Sequence, residues 1–559
     1  MGGAAVRGRL PGRNSGAAPD HRGLLSNTRW GYREELTHTL EGYCSQCKCP
    51  GLQFAVIGQT TPSAPVDGST ERGRTANLPC VEGYDFDDEF LPGGPNVPPP
   101  RTTLGALRGS GHRYHSVRTE IREHLVAQVS MGRRSIEEVY GFDDTVLPEL
   151  ERALFALHDV IVIGDRGQGR SLLLRGLQGL LDVWAPIIED SVLHEHPMNP
   201  QTPWAKEVVA EHGDETPVVW VKRDTRLAEL QVTADLTGTE LLGDRQPDLG
   251  HGLFPAMNRG IIVLEDLGAM PPRVQAQLAR TLSEREVRIG DGELRLPLDI
   301  VVVATMDRAD YHEYGRLVPS LRDRFGGVVA THYPPTLADE VEILRRYPVV
   351  GPKDSNLFIP HVPSHVLEIV ARFARSVRDD GSFEPESAAS VRLGIDALEH
   401  VGGSAARRSS MHHEPCIVRP SDLTTLVSGL AERLHAPDGD RVREGEQLTA
   451  LLDRAIAEVC RTKLADVDLS IVKAKVDAGT NLVTGPDVGS QELLDQLGTV
   501  PQFAALLKQF GIRDGAESPG LAAGAVELVL EGLAAGHEVQ RQRELATISY
   551  RSTASVSTV

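Results

Sequence analysis

Gly164-Asp165-Arg166-Gly167-Gln168-Gly169-Arg170-Ser171 matches G-x-x-x-x-G-K-[ST] at every fixed position except the lysine, where Arg170 stands. That spacing suits a phosphate. Glycines let successive backbone N–H groups curl around phosphate oxygens, the N-terminus of a following helix adds positive potential, and a hydroxyl at Ser171 can ligate magnesium. Gly164, Gly167 and Gly169 would form the cradle, with Arg170 against the β- and γ-phosphates. A guanidinium keeps the charge of the usual ammonium, but it is a planar fork and not a compact cation, so its reach differs.

A second set lies in Arg259-Gly260-Ile261-Ile262-Val263-Leu264-Glu265-Asp266, an apolar strand ending in two acids. After a phosphate loop, the first acid of such a strand holds Mg²⁺ through water and the second polarises the attacking water. Alone, two acids in this position ordinarily cap a helix. The usual order is Asp then Glu, and here it is reversed, which lengthens one side chain and shortens the other. A displacement of about 1 Å can slow such chemistry roughly a hundredfold, so binding is better supported than turnover.

Three further candidates follow. LDIVVVATMDRAD places Thr305 and Asp307 at a strand end, where a polar side chain would touch the γ-phosphate. Asparagine is common there, and Asp307 adds repulsion unless it is protonated or turned toward metal; capping of the next helix is the competing role. Val318-Pro319-Ser320-Leu321-Arg322-Asp323-Arg324-Phe325-Gly326 offers Arg324, which in a ring assembly would project into a neighbour's nucleotide. Ser390-Val391-Arg392-Leu393 offers Arg392 as a second phosphate sensor within the same chain.

These residues need elements to hold them. His158–Gly164, Gly260–Leu264 and Leu298–Ala304 are short continuous apolar runs suited to buried parallel strands, separated by helical stretches, which indicates an α/β sheet covered on both faces. Before them, Val117, Ile121, Leu125 and Val129 fall on one helical face, and IEEVYGFDDTVLPELERALFA also reads as helix. After Tyr333-Pro334-Pro335 the strand signals fade and amphipathic helices dominate, with a helical stretch from Gln491 to Val539 and a polar tail. Residues 1–102 are Gly/Pro-rich and without a sustained period, so they are expected to be mostly disordered. They contain Cys44, Cys47, Cys49 and Cys80, which could supply four thiolates to zinc or be free thiols.

The 559 residues are too many for one ordinary core. Composition, 40% hydrophobic and 24% charged, is that of a globular protein. With 58 basic against 78 acidic residues, the net charge of −20 disfavours a general grip on nucleic acid or anionic membrane. No apolar run approaches the roughly 20 residues that span a bilayer, the start shows no apolar segment of signal type, and six cysteines suit a reducing compartment. The chain reads as cytoplasmic, without membrane insertion.

Taken in order, GDRGQGRS, DLTGTELLGD leading to LFPAMNRGIIVLED, EVRIGDGELRLPLDIVVVATMD, LVPSLRDRFG and the region around SVRLGI resemble AAA+ proteins of the magnesium chelatase ATPase and MoxR group over roughly residues 103–480. The resemblance implies a P-loop AAA+ three-layer core with a parallel sheet, followed by a helical lid and a helical C-terminal region. Its divisions would be a lead-in at 103–135, a core at 136–335, a lid at 336–480 and a C-terminal region at 481–559. It also implies ATP and Mg²⁺ as cofactors and a homo-oligomeric, hexameric ring. Hairpins would be inserted in the core, with Gly290-Asp291-Gly292-Glu293 as one turn. Such proteins act with a partner bearing a von Willebrand A domain; no D-x-S-x-S motif stands in this chain, so that partner would be separate. In the roles implied, Asp266 orients water, Glu265 and Ser171 serve magnesium, Arg170 holds phosphates and Arg324 acts in trans.

The leading reading is an ATP-hydrolysing remodeller of a partner protein, and the competing one is a nucleotide-sensing scaffold that assembles on ATP and hardly hydrolyses it. The departures at Arg170, Glu265, Asp266 and Asp307 are the support for the competing reading, since they touch the hydrolysis rate more than the fold. An LSGGQ-like signature and a GAFTGA-like loop are both absent from the sequence.

Overall fold

Short runs of β-branched residues bounded by glycine and polar turns form the centre of the molecule, because such side chains fit a pleated surface buried on both sides. The structure, a computed structural model, describes residues 97–243, 252–289, 294–313, 315–347, 359–383, 390–431, 433–434, 441–498, 503–512, 518–544 and 547–553. The Cys44, Cys47, Cys49 and Cys80 set lies outside them, as does the turn at 290–293.

Five strands, β1 (Val160–Gly164), β2 (Leu227–Gln231), β3 (Gly260–Glu265), β4 (Ile300–Asp307) and β5 (Gly327–Ala330), form one sheet in the order β5-β1-β4-β3-β2. Every pairing is parallel. Strands β1, β3 and β4 are those expected from the apolar runs. LAELQ in β2 and GVVA in β5 are too polar or too short to stand out in sequence. Register decides what meets at the carboxyl edge: Gly164 lies opposite Asp307 and Leu264 opposite Ala304. The three central strands thus deliver the glycine loop, the acid pair and the Thr305–Asp307 segment to one edge, where open parallel sheets bind ligands.

The period of two sorts the strand side chains onto two helical layers. Val160, Val162, Ile261, Val263, Val301 and Val303 pack with α1 (Val117–Ser130), α2 (Val146–Phe155) and α3 (Arg170–Gly176). Ile161, Ile163, Ile262, Leu264, Val302 and Ala304 pack with α4 (Pro272–Glu284). In α1 the face Val117, Ile121 and Leu125 is buried, whereas Val129 is 45% exposed, so the apolar stripe leaves the core before the helix ends. Residues 136–145, expected to open a helix, run as loop and turns. Gly141 there takes φ +77°, and the helix starts only at Val146.

After the short α5 (Pro319–Arg322) come α6 (Leu337–Arg346), α7 (Ser364–Asp379), α8 (Arg392–His412), α9 (Arg441–Lys463) and α10 (Pro519–Ala535). One apolar core runs through them from Leu344 to Tyr550. It includes an antiparallel sheet of Leu482–Thr484, Ile548–Ser552 and Val539–Arg543, which sequence patterning did not suggest because VQRQR has no apolar run. Strands Glu286–Ile289 and Leu294–Pro297 pair antiparallel as the two arms of the expected hairpin. No helix among the described residues is long and apolar enough to cross a membrane.

Two arginines are buried in this C-terminal core. Arg408 is 1% exposed; its Nε donates to Glu414 at 3.0 Å, Nη2 to the Ile417 carbonyl at 2.6 Å, and Nη1 pairs with Asp422. Arg419 donates to the carbonyls of Gly485 and Val488 and to Ser490, tying the start of the 481–559 region to the helices before it. Breaking such a network from one side leaves an uncompensated buried carboxylate. Arg408→Ala is therefore expected to cost about 3–5 kcal/mol, read by urea denaturation monitored by circular dichroism.

Candidate nucleotide site

The loop after β1 is built for close approach. Gly167 and Gly169 adopt φ +73° and +76°, a region open to glycine at no cost, and a side chain at 167 would collide with Ser390 of the lid. The loop is braced from within and without. Gln168, 5% exposed, accepts from the Asp165 N–H at 3.0 Å, donates to the Asp165 carboxylate at 3.0 Å and accepts from the Thr331 hydroxyl at 2.8 Å. The Tyr333 hydroxyl donates to the Arg166 carbonyl at 2.8 Å. Burial first, then the nearby Asp165 carboxylate, pushes that phenol up to about 12, so it remains a donor throughout the physiological range. Helix α3 then begins at Arg170, with Ser171 in its first turn and its free N–H groups facing the loop.

The acids at the end of β3 lie at the same sheet edge as this loop, with β4 between them. One carboxylate oxygen of Glu265 is buried with no hydrogen-bond partner among the described residues, the condition of a group meant to meet water or a cation. Asp266 sits at φ +63°, ψ +56°, an uncommon conformation for a non-glycine residue and one that concentrates at functional sites. Its N–H donates to the Thr305 hydroxyl at 3.0 Å, and its carboxylate does not cap the turn that follows. Burial, then the charges of Asp307 and Asp310, hold the Asp266 carboxyl above the usual aspartate range.

Arg170 turns toward β4. Its Nη1 donates to the Met306 carbonyl at 2.7 Å and its Nη2 to the Asp307 carboxylate at 2.6 Å. Asp307 does not cap the helix it precedes; its side chain goes to Arg170 instead.

The remaining candidates lie further out. Arg324 is exposed, just past α5, and makes no ion pair among the described residues, whereas Arg322 lies over the Tyr311 ring at 4.4 Å. The Arg392 side chain is 74% exposed and 3.7 Å from Asp396, at the start of α8. Its neighbour Ser390 touches the glycine loop at Gly167. Glycine loop, acid pair and Asp307 are thus brought together, while Arg324 and Arg392 are not part of that cluster.

Sequence reasoning missed Gln168, Thr331, Tyr333 and Asp310. Tyr333 carried one available signal, its place in Tyr333-Pro334-Pro335 directly after the last strand, which had marked only the end of the core.

A metal here would have few protein ligands. Among the described residues no group of three or more His, Cys, Asp or Glu side chains could hold an ion alone. Magnesium typically takes one or two protein ligands and completes its shell with phosphate oxygens and water. Ser171 and the unpaired oxygen of Glu265 fit that part.

Residues 244–316 match the family model described as the Sigma-54 interaction domain, a span that holds β3, the hairpin and β4. The chain is 27% identical over 130 residues to the chaperone MoxR1 of Mycobacterium tuberculosis, covering 22% of this chain and 34% of MoxR1. It is 28% identical over 200 residues to the magnesium-chelatase 38 kDa subunit of Cereibacter sphaeroides, covering 34% of this chain and 55% of that subunit. A structure of the complex between the BchI and BchD subunits of magnesium chelatase, based on a cryo-EM reconstruction, matches at 20% identity over 56% of this chain and 100% of that chain, with a TM-score of 0.30. The chain therefore spans between a third and just over half of the length of these two curated relatives.

Proposed function

We propose, from a core that is a P-loop AAA+ domain similar in sequence to MoxR1 and the magnesium-chelatase subunit, that this chain is a cytoplasmic ATPase. It would bind Mg·ATP between subunits of a hexameric ring and use hydrolysis to change the conformation of a partner protein. The observation that carries this is the convergence, at the carboxyl ends of three adjacent parallel strands, of the loop Gly164–Ser171, the pair Glu265–Asp266 and the segment Thr305–Asp307. Bound magnesium would supply the charge that draws electrons from the phosphates. The chain's own residues do the rest. The loop N–H groups and Arg170 hold phosphate oxygens, Ser171 and Glu265 hold the metal, Asp266 orients the attacking water, and Arg324 serves the neighbouring site. Arg392, beside Ser390 on the glycine loop, is assigned to sense phosphate from the lid. The partner is a separate protein with a von Willebrand A domain, and the acidic balance of the chain argues against nucleic acid as its target.

A second reading is favoured by two specific observations. Arg170 is engaged by Asp307, and Asp266 is held above its usual range, so a slow nucleotide-sensing scaffold uses the same site. Steady-state ATP hydrolysis by the purified protein, alone and with a von Willebrand A domain protein, separates the two. Arg170→Ala should weaken Mg·ATP binding by at least about tenfold, since a charge-assisted contact to phosphate is lost. Arg170→Lys should raise turnover if the planar fork impairs phosphate geometry; equal turnover would mean the arginine is tolerated. Absence of nucleotide binding by calorimetry would end both readings.

A further inference from the structure

Two departures from the usual residue types, arginine for lysine at 170 and aspartate for asparagine at 307, meet each other in space. We propose that they are one device: Asp307 is an internal stand-in for phosphate on Arg170, so nucleotide enters by exchanging one anion for another. This rests on the reading of the glycine loop as a nucleoside triphosphate site.

A guanidinium presents its N–H groups as a fork that fits a carboxylate and a phosphate alike. Here Nη2 is taken by Asp307 at 2.6 Å while Nη1 is held on the Met306 carbonyl at 2.7 Å. The arginine is thereby anchored on one side and plugged on the other. Asp307 has given up the role its position would ordinarily confer, capping the next helix. Its register opposite Gly164 sets it at the base of the phosphate loop, and the Arg170 side chain is 16% exposed while that of Asp307 is 41% exposed, so the pair is shielded from salt on the arginine side and open to an incoming anion on the other.

The surroundings give the pair its consequence. Asp266 and Asp310 already act on one another at this edge, and Asp310 is 3.5 Å from Arg316. When a phosphate takes Arg170, Asp307 loses its cation and faces further negative charge. A lysine-and-asparagine site does not carry that cost. Magnesium would offset it, so nucleotide binding should depend on the metal more steeply than loop contacts alone would require.

The experiment is a double-mutant cycle on the full chain. ADP in EDTA, and Mg·ATP, are titrated calorimetrically into the parent, Asp307→Asn, Arg170→Ala and the double variant. Asp307→Asn should tighten ADP binding about tenfold with Arg170 present and clearly less with alanine at 170, a coupling within the range for contacting residues. It should also reduce the gain that magnesium provides. An equal factor in both backgrounds would mean simple repulsion and would overturn the pairing. Weaker binding of Mg·ATP by Asp307→Asn would make Asp307 a metal ligand and overturn it too. If the parent binds neither nucleotide, the site reading falls, and melting temperatures without added nucleotide decide the pair by themselves. Arg170→Ala should then lower the melting temperature and a further Asp307→Asn raise it again, whereas additive changes would show that the two side chains are not coupled.

Discussion

Arg324→Ala should bind Mg·ATP as the parent does and hydrolyse it about 10³-fold or more slowly, the loss seen when an arginine finger is removed. The backbone around Arg324 is held by packed neighbours. Leu321 is fully buried and Phe325 is 5% exposed, and Gly326 lies so close to the His158 ring that any side chain there would collide with it. Arg324, between these anchors, is directed outward, while Arg322 stays over Tyr311 of its own chain. A cation so exposed is available to a neighbouring subunit's nucleotide, the role proposed for it. Mixing Arg324→Ala with Asp266→Asn subunits sharpens the result, because at some interfaces one subunit supplies the arginine and the other the acid. Recovered hydrolysis on mixing would place the arginine in trans. Normal hydrolysis by Arg324→Ala, or a protein that stays monomeric with ATP in analytical ultracentrifugation, would overturn the ring reading and leave an isolated nucleotide sensor as the better account.

What the sequence could announce here follows from how far each signal reaches along the chain. The glycine loop, strand β3 with Glu265 and Asp266, and strand β4 with Thr305 and Asp307 are local patterns: a run of β-branched residues is buried wherever it is placed, and its last residues lie at the strand end. Their convergence was inferable because parallel strands joined by helices must align their carboxyl ends. The braces were not inferable. Gln168 owes its role to Thr331, and Arg166 to Tyr333, each more than a hundred residues away and set by the pairing of β5 with β1.

The same reasoning explains the interaction of Arg170 with Asp307. From sequence, each is a separate departure, one costing phosphate reach and the other adding repulsion. In space each supplies the charge the other lacks. Helical periodicity, by contrast, marked the helices after the core but not the antiparallel sheet of the 481–559 region, since Val539–Arg543 alternates only weakly and is strand because Ile548–Ser552 lies beside it.

Asp266→Asn should abolish most hydrolysis and at the same time make the protein more heat-stable at neutral pH. In the role proposed for Asp266, loss of a carboxylate that orients water should remove about 10²–10⁴-fold in rate. The gain in stability has a separate origin. Burial, Asp307 and Asp310 raise the Asp266 pKa in the folded chain above its unfolded value. The folded state therefore holds the proton more tightly than the unfolded state. That contribution is fully present below the unfolded aspartate pKa of about 3.9 and is lost as pH rises through the folded value. At neutral pH the ionised carboxylate is a burden on the fold, and neutral asparagine relieves it. Asparagine also tolerates the left-handed backbone at this position, so no new strain is introduced. Melting curves should show the variant above the parent at pH 7, with the difference shrinking as pH falls through the aspartate range. In the parent, hydrolysis should begin to fail on the acid side at a pH above the ordinary aspartate pKa. A variant that melts lower than the parent at pH 7, or a difference that does not change with pH, would mean that Asp266 is not held under this electrostatic load.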